Sequence, residues 1–77
     1  MFCFHCRDGE DGGRLRAIHR PAHLDFVHAN AEHFVIVGPL KRSDGLIIGS
    51  LLIVKAEDEA AARAILAEDP YLTGGVW

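Results

Sequence analysis

The side chains best placed for chemistry are one histidine and one aspartate, each close to a proline: His23 in Arg20-Pro21-Ala22-His23-Leu24, and Asp69 in Asp69-Pro70-Tyr71. A carboxylate that accepts from one imidazole nitrogen fixes the tautomer and orientation of the ring. The other nitrogen is then free to take or give a proton near neutral pH. A His and an Asp brought together by the fold would therefore make a proton-transfer pair. Each residue also has a structural role open to it. His23 can be a packed helix histidine, and Asp69 followed by Pro70 suits a helix start, with the carboxylate as N-cap and the proline as first helical residue. A cap and a catalytic partner can be the same residue.

Other reactive residues carry less. His19 and His23 are four apart, as in a two-histidine metal motif, but no Glu follows His19, Pro21 lies between them and no third ligand is evident, so no metal is expected. Cys3 and Cys6 form a C-x-x-C within a strand-like segment. Strand residues three apart lie about 10 Å apart on opposite faces, too far for a disulfide and wrongly directed for shared ligation, so two reduced thiols are expected. Ser50 lacks a nucleophile-elbow context and reads as a small strand residue lining whatever cavity the sheet forms. Gly74-Gly75 reads as a loop that turns the backbone, since no helix start with a Lys follows it.

These residues must be positioned by one small domain of 77 residues. A chain this short buries only about 60% of the surface its unfolded form exposes, so support beyond its own core is expected. Its net charge of −3 and sequence pI near 5.9 argue against nucleic acid as the main partner. The longest apolar run, Leu46 to Val54, is about half the ~18 residues that suggest a membrane span. The start, Phe2-Cys3-Phe4-His5-Cys6, lacks the basic region of a signal peptide, so the expected location is cytoplasmic.

Met1 to Arg7 suits a first strand and Asp8 to Gly13 a flexible acidic loop. From Arg14 to Ala31 apolar residues recur at helical spacing, interrupted by Pro21. An interior proline costs about 3 kcal/mol, which favours a short helical turn up to His19 and a main helix that starts at Pro21. His33 to Pro39 and Leu46 to Lys55 read as two strands joined by a hairpin with Asp44-Gly45 at its tip. Glu57 to Glu68 reads as a second helix with acids in its first turn, stopped by Asp69-Pro70. The order β-α-β-β-α predicts a ferredoxin-like α+β sandwich, an antiparallel sheet with helices on one face.

The strand from Leu46 to Val54 hardly alternates, and neither does Phe34 to Val37, whereas a sheet with one wet face should. Both faces are thus expected to be covered although the helices cover only one. A second copy of the chain is the simplest cover, making a homodimer.

His23 within R-P-A-H-L, Gly38-Pro39, Gly49-Ser50 in the third strand, and Asp69-Pro70-Tyr71 followed by Gly75-Val76-Trp77 resemble the YciI-like proteins in order and spacing, over nearly the whole chain. The resemblance implies a ferredoxin-like, dimeric α+β barrel with a His and Asp pair in a pocket near the dimer interface. It puts those catalytic roles on His23 and Asp69, with Ser50 as a neighbour. Arg20 and Tyr71, in the same two motifs, are expected to bind substrate with Ser50, and no cofactor is expected. Members usually continue into a last strand, so residues 1–77 are expected to form one YciI-like domain lacking that strand, with one sheet edge open. A dehydrochlorinase acting on a chlorinated aromatic intermediate is known in the family. The implied function is a small-molecule lyase or isomerase working by general acid/base chemistry on a cyclic or aromatic compound. The alternative is a non-catalytic dimeric module that binds a small ligand or a protein partner.

Overall fold

The computed structural model describes all 77 residues. Strand β1 (Phe2–Arg7) leads into helix α1 (Gly12–Ala29), a single 3-10 turn, strand β2 (Phe34–Lys41), strand β3 (Ile47–Val54), helix α2 (Glu59–Leu66) and the one-turn helix α3 (Pro70–Thr73). The strands make one antiparallel sheet in the order β1-β3-β2. This is the α+β, ferredoxin-like arrangement expected from the sequence, with the most apolar strand in the centre.

Alternation along β3 assigns the two faces. Ser50, Leu52 and Val54 are buried, and across the ladder they meet Cys6, Phe4 and Phe2 of β1 and Pro39, Val37 and Phe34 of β2. Leu52 and Val54 form the core with Ala62 and Leu66 of α2. Helix α2 follows from its sequence: Asp58 caps it by accepting from the Ala61 N–H at 2.8 Å, and Ala62 and Leu66, one turn apart, bury one stripe. The opposite face of the sheet carries Ile36 opposite Ile53 and His5 opposite Leu51, and Ile36 remains 49% exposed. Both cysteines are free, Cys3 exposed and Cys6 half-buried on the core side.

The expected break at Pro21 does not occur, and α1 runs through it without interruption. Leu15, Arg16, His19, His23, Phe26 and Val27 are the residues of this helix at least half-buried beyond its first turn, and their steps of three and four make one stripe crossing the proline. A break would put His23 out of phase with Arg16. Pro21 itself is exposed, so the carbonyl it leaves unpaired faces water and the local cost is tolerated. The helix also starts inside the expected acidic loop, at Gly12.

Helix α3 is closed by a Schellman motif. The Val76 N–H donates to the Tyr71 carbonyl at 2.9 Å and the Gly75 N–H to the Leu72 carbonyl at 3.2 Å, with Gly75 at φ +82°, a conformation glycine adopts without strain. The turn sends Val76 back into the interior, where it is fully buried, and sets Trp77 against the core. No helix is long and apolar enough to cross a membrane.

Candidate active site

The site lies where α1, β3 and α3 converge on the covered face of the sheet. Helix α1 supplies His23, which is 6% exposed, and α3 begins at Asp69, which is fully buried. His23 Nδ1 lies 2.8 Å from Asp69 Oδ1. The same Oδ1 accepts the Tyr71 N–H at 2.9 Å, so Asp69 is both the N-cap of α3 and the partner of His23. An ionised carboxylate can only accept, so Nδ1 carries the proton of a neutral ring and Nε2 keeps the lone pair. Asp69 Oδ2 is buried with no protein partner. His23 and Asp69 are therefore each other's principal polar compensation, supplemented by one backbone amide.

Aromatic rings hold the imidazole from two sides. Tyr71 stacks on it at 3.9 Å between centroids and 6° between planes, and Trp77 meets it edge-on at 6.5 Å. The ring therefore cannot rotate to exchange its nitrogens without displacing both neighbours. His19, one turn earlier on α1, packs against Gly74 rather than joining His23: a Cβ at Gly74 would fall 2.6 Å from its ring.

His23 opens onto a cavity of about 250 Å³. Arg16, Arg20, Ser50 and Tyr71 are its other polar lining residues, and Leu24, Val27, Val37, Pro39 and Ile47 supply the apolar wall. A dry cavity of about 150 Å³ accommodates benzene, so this one is the size of a substituted six-membered ring. All five residues named from the sequence thus meet at one place: His23 and Asp69 in direct contact, with His23, Ser50, Arg20 and Tyr71 on the cavity wall. Asp69 sits behind His23 and does not line the cavity.

Two residues with no motif of their own complete the site. Arg16 grips Asp8 through Nε at 2.7 Å and Nη2 at 2.9 Å, and Nη2 also reaches the Gly49 carbonyl at 2.9 Å and Ser50 Oγ at 2.8 Å. Its guanidinium carbon stands 5.0 Å above the Tyr71 ring. The Asp8 hydrogen bond raises the Arg16 pKa further, which keeps the cation fixed. Gly49 is required here because a Cβ would lie 2.5 Å from the Cys6 carbonyl on β1. The signal for Arg16 in the sequence is its seven-residue step to His23, two helical turns along one face. Beside the site, burial and then the charges of Asp69 and Asp8 push the Cys6 thiol up to about 11.

Residues 1–77 match the family described as the YCII-related domain, and the chain belongs to that family. No curated protein matches the chain as a relative. Its fold is shared with 5-chloro-2-hydroxyhydroquinone dehydrochlorinase (TftG) from Burkholderia phenoliruptrix AC1100, solved in complex with 2,5-dihydroxybenzoquinone. The two agree with a TM-score of 0.83 at 21% identity, over 96% of this chain and 81% of that one.

Proposed function

We propose that this YCII-related domain is a small-molecule enzyme that moves a proton on a hydroxylated six-membered ring, leading to elimination or isomerisation. The observation that carries this reading is the 2.8 Å contact between His23 Nδ1 and Asp69 Oδ1, at the wall of a cavity the size of one substituted ring. His23 is the general base: Nε2 takes a proton from the substrate while Asp69 holds the ring and stabilises the imidazolium that forms. In an elimination, the electron pair released by deprotonation moves through the conjugated ring and a halide departs with its bonding electrons. In an isomerisation, the same imidazolium returns the proton at another position. Arg20 at the cavity wall has no carboxylate within ion-pair distance, and its free charge suits an anionic ring substituent. Ser50 and Tyr71 complete the substrate contacts.

The alternative, a non-catalytic binding module, would be favoured by an Asp69 that capped α3 and faced away from His23. The shared use of Oδ1 favours the enzyme. The TftG substrate class supplies the first compounds to try. Incubation with 5-chloro-2-hydroxyhydroquinone should release chloride with wild-type protein and not with His23→Ala. Equal release by both would remove His23 from the chemistry.

We infer further that the chain works as a homodimer through the uncovered face of its sheet. Ile36 is 49% and Val35 48% exposed, an apolar surface that the helices leave bare. Sedimentation at micromolar concentration should give the mass of two chains, and a monomer throughout would contradict this.

A further inference from the structure

Ser50 has a hydroxyl proton that the fold leaves unspent. Its Oγ accepts from Arg16 Nη2 at 2.8 Å, and a guanidinium has only protons to give, so the Ser50 proton takes no part in that bond. No protein group accepts it, although Ser50 is only 4% exposed. The space from which an acceptor can approach is the cavity that Ser50 lines together with His23. Arg16, meanwhile, cannot follow a ligand, because two contacts to Asp8 and one to the Gly49 carbonyl hold it in place.

We propose that Ser50 is the donor to an oxyanion that forms on the substrate when His23 takes its proton, and that Arg16, clamped by Asp8, is the positioning residue that polarises the Ser50 hydroxyl and fixes its direction. The inference rests on the acid/base reading above and names the substrate class: a ring hydroxyl that becomes a phenolate or enolate. Because Asp8 neutralises Arg16, the pair offers a directed dipole more than a bare cation. Such a donor favours charge that develops at one oxygen over charge the substrate already carries elsewhere.

Substituted phenols test this without knowledge of the natural substrate. The probes are 4-nitrophenol, whose absorbance distinguishes phenolate from phenol, and 4-nitroanisole, which has the same ring with a methyl on that oxygen and cannot ionise. Wild-type protein should bind 4-nitrophenol as the phenolate and more tightly than 4-nitroanisole. Ser50→Ala should lose roughly ten- to hundredfold in phenolate affinity, as expected for a hydrogen bond to a charged group, with 4-nitroanisole affinity unchanged. Ser50→Thr, which keeps a hydroxyl, should recover most of the preference. Asp8→Asn combined with Arg16→Gln replaces the buried ion pair by neutral amides without stranding a charge. It should lower the phenolate preference several-fold while Ser50 stays in place.

If Ser50→Ala leaves the ratio of the two affinities unaltered, the oxyanion role is overturned and the acid/base reading stands. An unaltered ratio in the Asp8/Arg16 double variant overturns the positioning role of Arg16. Failure of wild-type protein to bind either compound overturns both the inference and the reading of the cavity on which it rests.

Discussion

Asp69 meets His23 through the oxygen that also caps α3: Oδ1 lies 2.8 Å from His23 Nδ1 and 2.9 Å from the Tyr71 amide nitrogen. The helix start therefore fixes the carboxylate in direction, and the carboxylate fixes the imidazole. Positioning of the proposed base thus depends on a local structural feature, and the cap and the charge can be separated by substitution.

Asp69→Asn keeps one oxygen, which can still accept from both the Tyr71 amide and His23 Nδ1 as Oδ1 does, but it removes the charge that stabilises an imidazolium. Activity should fall by about 10²- to 10⁴-fold with little change in melting temperature. Asp69→Ala should lose the activity and also about 1 kcal/mol for the cap. Equal loss of stability in both variants, measured by urea unfolding, would show that the charge and not the cap anchors α3.

His23→Ala leaves a fully buried carboxylate with one backbone amide as its partner and Oδ2 still unpaired. Stranding one member of a buried pair costs about 3–5 kcal/mol. The double variant His23→Ala/Asp69→Asn should recover part of that loss, and a thermodynamic cycle that shows no coupling would contradict the pairing.

The Cys6 thiol, at about 11 against an ordinary 9.0, gives a pH dependence with a definite sign. Between these values the unfolded chain releases the Cys6 proton while the folded protein retains it, so rising pH favours unfolding. The stabilisation is fully present below pH 9 and is lost as the pH rises through 11. Cys6→Ala should flatten the unfolding free energy over that range relative to wild type. At pH 8, iodoacetamide should modify the exposed Cys3 well before Cys6 in folded protein, and equal rates would contradict the assignment.

Pro21 sits within α1 on its exposed side. Pro21→Ala should restore the missing backbone hydrogen bond and stabilise the protein by roughly 2 kcal/mol, the interior cost of about 3 less the unfolded-state entropy that proline removes. Denaturant unfolding checks it, and destabilisation would mean that the proline sets a bend on which the site depends.

The strands, the Asp44-Gly45 hairpin and α2 were legible because each is specified by local residues: apolar runs, a turn pair, and acids ahead of an alanine-rich stripe. Helix α1 was not, because the local penalty at Pro21 is outweighed by a stripe from Leu15 to Val27 whose value appears only when it lies on the sheet. His23 and Asp69 stood out by residue type and motif, and their contact depends on α1 and α3 packing together. Arg16 and Asp8 were missed for a different reason. A surface helix carries many charges, and only the seven-residue step to His23 sets Arg16, which turns inward to Asp8 and Ser50, apart from Arg14, which pairs with Asp11 in solvent.

With Asp69 accepting from Nδ1, the His23 proton is expected on that nitrogen, which leaves Nε2 as the proposed base. Nitrogen NMR of protein labelled with ¹⁵N-histidine tests it directly, through the one-bond N–H coupling and the long-range ring correlations of His23 in the neutral form. The proton is expected on Nδ1 in wild-type protein and in Asp69→Asn, whose oxygen can still accept it, and on Nε2 in Asp69→Ala, which has no acceptor there. A wild-type ring already protonated on Nε2, or one whose tautomer ignores Asp69→Ala, would contradict the pairing.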